Sequence, residues 1–399
     1  MHAEPPLPPY LMTSEPGSFA RKTIAERKAQ IIARVIADHA YDDAVLARLA
    51  AFRDEIMHPD RGSSSVRSLS DTIGDAAVWH TTLAPYRGHT WLQLPWYLAE
   101  TYFYRRLLEA IGHFDPASPN HLQDPFAPQK RAQEAVAVEQ LAGLWPILTA
   151  LPDRDRFESL LHGCLWGNRA DLSNFTITQR PVGDTMADRH NILIDHTHRV
   201  GDILAGGPGE IAFINDNVGA DSLFDLALAD CLLDRGRVRR VTFHLKNRPF
   251  FVSDAMPGDI LAVIRLLTTQ DDAPGLARLG ARLSDAVAGG RLILATQPFW
   301  TQPFGFRELP DDLRDDLKAA DLVILKGDVN YRRLLDDRHW PPSTPLAVAA
   351  ADFPRPFLIL RTLKGEIIAG LAPDQAEALA AEDPTWLING RRGLIHLVT

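Results

Sequence analysis

From residue 211 onward, short and almost wholly apolar runs alternate with helical patterns, and this alternation constrains the fold more than any other feature. The runs are IAFIND (211–216), VRRVTFHLK (238–246), RLILAT (291–296), DLVILKG (321–327), PFLILRT (356–362) and LIHLV (394–398). Between them stand SLFDLALADCLL (222–233) and DILAVIRLLTT (259–269). A strand apolar at consecutive positions is buried on both faces, so the pattern predicts a largely parallel sheet covered by helices on either side. Upstream the period is helical. Ile24, Ile31, Ile32, Val35 and Ile36 recur at helix spacing, and Val45, Leu46, Leu49 and Phe52 follow. Residues 91–112 predict a strongly amphipathic helix with Pro95 in its first turn, and further helices are expected over about 130–149 and 153–165. The expected organisation is a Pro-rich arm (1–17), a helical domain (18–165) and an α/β/α domain (166–399).

In open parallel sheets, ligands bind beyond the carboxyl ends of the strands. The polar groups that follow each run are therefore the candidates. After IAFI come Asn215, Asp216 and Asn217, then Asp221; after VTFHL come Lys246, Asn247 and, further on, Asp254. LVIL is followed by Lys326, Gly327, Asp328, Asn330 and Arg332, and LILR by Thr362 and Lys364. The acidic members suit a hard divalent cation, which takes oxygen ligands and retains water. Asp216 and Asn217 sit on a strand-to-helix turn where both can face one ion, and Asp254 can close it. The alternative is that the pair caps the helix beginning near Ser222. Lys364 and Arg332 suit a phosphate, the alternative being solvated surface charge.

Composition bounds the partners. With 42 Lys+Arg against 51 Asp+Glu, the net charge of −9 argues against duplex DNA and acidic membranes, which need clustered cations. No apolar run approaches the roughly 20 residues of a membrane span. The first 17 residues lack the pattern of a secretory leader, so a cytoplasmic setting is expected. Cys164 and Cys231, without metal spacing, are expected to be buried reduced thiols. DHTH (195–198) is expected to be a polar loop and not a zinc site, and LAGGPGE (204–210) lacks the Lys-Ser/Thr of a phosphate loop. There are only seven lysines against 35 arginines, and three of the seven (Lys246, Lys326 and Lys364) follow expected strands. A compact ammonium and a planar guanidinium are different phosphate ligands, so these positions stand apart from the arginine bias.

Taken together, the segments resemble one family. WLQLPWYLAETYFYRR (91–106), LWGNRADLSNF (165–175), INDNVGADSLFDLALADCLL (214–233), VTFHLKNRPFFVSD (241–254), LKGDVNYRRLLDDRHW (325–340) and LRTLKGE (360–366) are similar, in order, to the metal-dependent damage-control phosphatases of the acidic-residue-methyltransferase-like subfamily. The combination of KGDxNYRxLxxDRxW, RTxK and Asp-Asn-x-Gly carries the resemblance. It implies a helical N-terminal part followed by a Rossmann-like α/β/α sandwich, and hydrolysis of sugar phosphates such as fructose 1-phosphate or fructose 6-phosphate. It implies a divalent metal, with manganese, cobalt or nickel favoured over magnesium, held by Asp216, Asn217 and Asp254. The substrate would meet Asp328, Asn330 and Arg332, with Lys364 on the phosphate. The family's usual Glu is here Asp221, one methylene shorter, which puts substrate preference in question. Glu100, Arg105 and Asn168 lie in matching segments, with helix packing or indirect support as the expected role of the first two.

The resulting expectation is a metal-dependent phosphomonoesterase acting on a small phosphorylated metabolite, with the metal polarising a phosphoryl oxygen. Asp328 and Asn330 would position the sugar and handle the leaving-group proton. Two alternatives remain: an S-adenosylmethionine-dependent carboxyl methyltransferase, and a non-catalytic sugar-phosphate sensor. The oligomeric state is not legible in the sequence.

Overall fold

A computed structural model describes residues 7–72, 74–167, 190–205, 209–234, 236, 238–354 and 356–399. The sheet has seven strands: β1 (Ile192–Asp195), β2 (Glu210–Ile214), β3 (Arg240–Leu245), β4 (Leu292–Thr296), β5 (Leu322–Lys326), β6 (Phe357–Thr362) and β7 (Gly393–Val398). Their order is β1-β7-β6-β5-β2-β3-β4, and every neighbouring pair is parallel except β6 with β7. All six expected strands are present and the sheet is largely parallel, as their apolar runs predict. The chain moves outward from β2 to β3 and β4, then returns to place β5 on the other side of β2. The β2/β5 boundary is therefore the topological switch point, where a crevice opens at the strand ends.

Two departures have physical causes. β1 is short and half-exposed, and it absorbs Asp195 of the expected DHTH loop. The Asp195 carboxylate then accepts from the Thr197 N–H at 3.0 Å at the start of the helix Thr197–Ala205, so this segment is a strand end and helix start. β7 is antiparallel to β6, with Thr362 opposite Gly393. An antiparallel return needs no crossover over a sheet face, so residues 363–392 leave and rejoin the sheet at the edge that carries the site.

Alternate residues of each central strand feed two apolar cores, as the two-residue strand period requires. Ala212, Ile214, Val323 and Leu325 pack with the helices of the first 126 residues. Ile211, Phe213, Leu322 and Ile324 pack with the helices Ala127–Ala150 and Asp153–Trp166 and those between the strands. The helix α1 (Trp96–Ile111), preceded by Pro95 as its N-cap, is buried over every residue but Glu109. It is not amphipathic toward solvent: its buried charged side chains are paired inside the protein. Lys28 meets Glu100, Arg105 meets Asp71 and Asp75, and Arg106 meets Glu55. The arm is anchored as well, since Leu11 is fully buried and its N–H donates to the Asp337 carbonyl at 2.9 Å. Neither cysteine is in a disulfide; Cys164 is buried as expected, whereas Cys231 is partly exposed.

Candidate active site at the strand ends

The chain leaving β2 is held in place by backbone. Asn217 pairs with Asp254 in an isolated antiparallel bridge, and the Ala255 N–H donates to the Asp216 carbonyl at 2.8 Å. This fixes two segments, 37 residues apart at the Asn217–Asp254 pair, as one surface. The approach to Asp254 is bent, with Phe251 and Val252 both left-handed (φ 46° and 64°), a conformation rare for a β-branched residue. From β5, Gly327 (φ 80°) passes directly beneath the Asp216 carboxylate: a Cβ there would lie 1.8 Å from Asp216 Oδ2. Only glycine permits both that backbone and that approach.

Together these loops line a cavity of about 190 Å³. Asp216, Asn217, Asp221, Asp254, Asp328 and Lys364 all reach it, so six of the eight expected site residues converge. Ser253 Oγ donates to Asn217 Oδ1 at 2.6 Å, and Asn217 Nδ2 donates to Asp216 Oδ2 at 2.8 Å and to Asp221 Oδ2 at 3.1 Å. Among the described residues no helix N–H donates to Asp216 or Asn217, so the capping alternative does not describe this turn. Asp254 Oδ2 lies 3.1 Å from Lys246 Nζ, itself buried. Burial, then the Asp254 and Asp221 carboxylates, push Asp216 well above the usual carboxyl range, with Lys246 and Lys364 opposing. Burial likewise raises Asp254 against the pull of Lys246. Lys364 Nζ, on the β6 side, has no hydrogen bond or ion pair among the described residues. Lys326 is committed elsewhere: Asp225 Oδ1 holds it at 2.7 Å and keeps it charged against the cost of burial.

Asn330 and Arg332, expected at the substrate, stand behind the cavity wall, and both are fully buried. The Asn330 amide donates to the carbonyls of Ile214 (3.0 Å) and Lys326 (2.8 Å), joining the ends of β2 and β5. Arg332 Nε donates to Asp328 Oδ2 at 2.7 Å and its Nη1 to Asp337 Oδ1 at 2.6 Å, while its plane lies 3.8 Å over Trp96. Arg361 takes the other Asp328 oxygen at 2.8 Å. Burial pushes the Asp328 carboxyl up, but Arg361 and Arg332 overcome it and hold it at about 2. Such a group is ionised at neutral pH and cannot supply the leaving-group proton. Asn168 and the rest of its matching segment beyond Gly167 lie outside the described residues.

The remaining wall comes from the helical N-terminal part, where Glu100 is expected only to pack or to give indirect support. Phe19, Thr23, Arg27, Lys28, Trp96, Glu100 and Tyr104 face the strand ends across the cavity. Glu366 ties the two sides together, since its carboxylate accepts from the N–H groups of Phe19 (2.8 Å) and Ala20 (3.2 Å) at a helix start. The lysine scarcity was the one available signal for Lys28.

The donor set can be tested against a metal. Asp216 Oδ1 and Asp254 Oδ1 are buried without a hydrogen-bond partner, and Asn217 Oδ1 keeps a second lone pair beside its bond from Ser253. No group of three His, Cys, Asp or Glu among the described residues forms a chelate on its own. Two carboxylates and a carboxamide nevertheless fit a hard dication that keeps open positions for water and substrate.

The family model described as the damage-control phosphatase ARMT1-like domain matches residues 22–379. Damage-control phosphatase ARMT1 of Danio rerio is 29% identical over an alignment of 445 residues that takes in 99% of this chain and 98% of that protein. The proteins of the same name from Rattus norvegicus (30%) and Homo sapiens (28%) each align over 98% of both chains. Among solved structures, a DUF89 family protein of Pyrococcus horikoshii superposes with a TM-score of 0.50 at 16% identity, over 95% of this chain and 98% of that one, which supports the fold. With the family model spanning both the helical wall and the strand-end loops, this chain belongs to the ARMT1-like damage-control phosphatase family and is, with its relatives, a phosphoric monoester hydrolase.

Proposed function

We propose that the cavity hydrolyses the phosphate ester of a small sugar phosphate of the fructose 1-phosphate or fructose 6-phosphate type, with a divalent metal held by Asp216, Asn217 and Asp254. The observation that carries the reading is the pair of unpartnered buried carboxylate oxygens in the same cavity as the unpaired Lys364 ammonium. When bound, a dication there supplies Lewis acidity and offsets the charge of the phosphoryl group, with manganese, cobalt or nickel favoured over magnesium. Lys364 binds a phosphoryl oxygen. Asp328, ionised at neutral pH between its two arginines, accepts hydrogen bonds from substrate hydroxyls, and Arg332 and Asn330 keep it and the loop in position. Asp221, reached through the Asn217 amide, faces the cavity with one methylene less than the family's Glu, and an Asp221→Glu variant is expected to shift substrate preference.

Thiols outside any disulfide at Cys164 and Cys231 agree with a reducing, cytoplasmic setting. Carboxylates crowd the turn after β2, where a methyltransferase would present its nucleotide cofactor with a glycine-rich loop, so the methyltransferase alternative has no support in the geometry. The test is phosphate release from fructose 1-phosphate, fructose 6-phosphate and p-nitrophenyl phosphate with Mn, Co, Ni or Mg. Wild type should turn over and lose activity on chelation, and Lys364→Ala should fall on the order of 100-fold. Ligand binding without phosphate release under any metal would favour the sensor.

A further inference from the structure

The buried ion pair on the helical wall is unexplained by phosphate chemistry. Lys28 and Glu100 have side chains only 2% and 4% exposed, and the Lys28 ammonium donates to Glu100 Oε2. It also lies over the rings of Phe103 (4.8 Å) and Tyr104 (4.6 Å), which fix its position. Glu100 Oε1 has no partner among the described residues, and both residues line the cavity. A helical turn of the π type, Thr23–Arg27, leads into Lys28. In a regular α-helix residues five apart diverge by about 140°; the wider turn brings Thr23 and Lys28 to the same cavity wall, and such turns recur at functional sites.

A pair whose task were only to pin one helix to another would gain little from charge. Desolvation offsets most of the attraction of a buried ion pair, and apolar residues of similar volume often serve as well. Placed on the wall of a polar cavity, the same pair does something apolar residues cannot: it presents a hydrogen-bond acceptor held in a fixed place. The catalytic groups gather at the strand ends, so this wall meets the part of the substrate that is not phosphate.

We infer that Lys28 and Glu100 read the alcohol part of the ester: Glu100 Oε1 accepts a hydrogen bond from a substrate hydroxyl, while Lys28 holds the carboxylate in place. This rests on the phosphatase reading above and adds its selectivity. The pair selects polyhydroxylated leaving groups over apolar ones, because an ester without the hydroxyl leaves the Glu100 acceptor on the cavity wall unmatched. Glu100 is a binding residue and Lys28 a positioning residue.

The experiment compares kcat/KM for fructose 1-phosphate and for p-nitrophenyl phosphate at one fixed metal concentration. The proteins are wild type, Glu100→Gln, and the double variant Lys28→Met/Glu100→Leu, which leaves no unpaired buried charge. The ratio of the two specificity constants is expected to fall about tenfold or more in both variants, chiefly through KM for the sugar ester. An unchanged ratio, even with both activities lowered, overturns the inference. So does failure of both variants to fold, which would assign the pair to pinning the helices. A wild type that releases phosphate from neither ester contradicts the phosphatase reading itself, and the inference with it.

Discussion

Arg332 Nε donates to Asp328 Oδ2 at 2.7 Å, so the arginine of the GDVNYR segment holds a carboxylate inside the protein from behind the cavity wall, with its Nη2 buried and without a hydrogen-bond partner. Its second carboxylate partner is Asp337, at 2.6 Å. Removing Arg332 leaves Asp337 buried without its cation and Asp328 with Arg361 alone. Arg332→Met is therefore expected to lower unfolding free energy by about 3–5 kcal/mol, the usual cost of breaking a buried pair from one side. Urea unfolding at neutral pH measures it. A loss below about 1 kcal/mol would show that the arginine is free.

Asp328 itself makes stability pH-dependent in a known direction. Its folded-state carboxyl is held at about 2, below the ordinary 3.8. A depressed carboxyl adds stability that is present above the unfolded value and is lost as pH falls through the folded one. The stability difference between wild type and Asp328→Asn should shrink by about 2 kcal/mol between pH 5 and pH 2. A difference constant over that range would mean that the two arginines do not hold the carboxylate.

Much of this site could be read from strand ends alone. Asp216, Asn217, Asp254, Asp328 and Lys364 follow apolar runs unmistakable as buried strands, and the topology brings them to one cavity. Burial was the illegible part. Sequence shows that Asn330 and Arg332 follow a strand; it does not show that the short helix Gly327–Leu334 turns them inward, behind Asp328. Direction was equally hidden, since LIHLV reads as a strand whichever way it runs. The helical wall escaped because Lys28 and Glu100 are 72 residues apart and each looks like ordinary helix surface. Two glutamates and two arginines in the largely apolar segment 91–112 were the clue to buried pairing.

Metal should act through Asp216 and Asp254. Both carboxyls are raised in the metal-free protein, by burial first. A raised carboxyl contributes stability that is fully present below its unfolded value near 3.8 and is lost as pH rises through the folded one. The metal-free protein is thus penalised toward neutral pH, and a bound dication removes the penalty by replacing the proton. The gain in Tm on adding Mn(II) is expected to be larger at pH 7.5 than at pH 5. An equal gain at both, or none, would argue against these ligands.

Gly327 offers a steric test that touches no charge. A Cβ at this position would stand 1.8 Å from Asp216 Oδ2, on a backbone at φ 80°. Gly327→Ala should displace the carboxylate and strain the turn, costing about 1–3 kcal/mol of stability. It should also abolish the Mn(II)-dependent rise in Tm. Retention of that rise would place the metal away from Asp216.

In the proposed function, phosphate-ester cleavage depends on the carboxylates at the β2/β5 boundary. Asp216→Asn is the most direct probe, because it keeps the size of the side chain and changes only its charge and donor pattern. Phosphate release from fructose 1-phosphate with saturating Mn(II) should fall by at least about 100-fold in this variant, while its circular dichroism matches wild type. Wild-type turnover in Asp216→Asn, or in wild type after complete chelation, would show that cleavage does not depend on these carboxylates or on a metal.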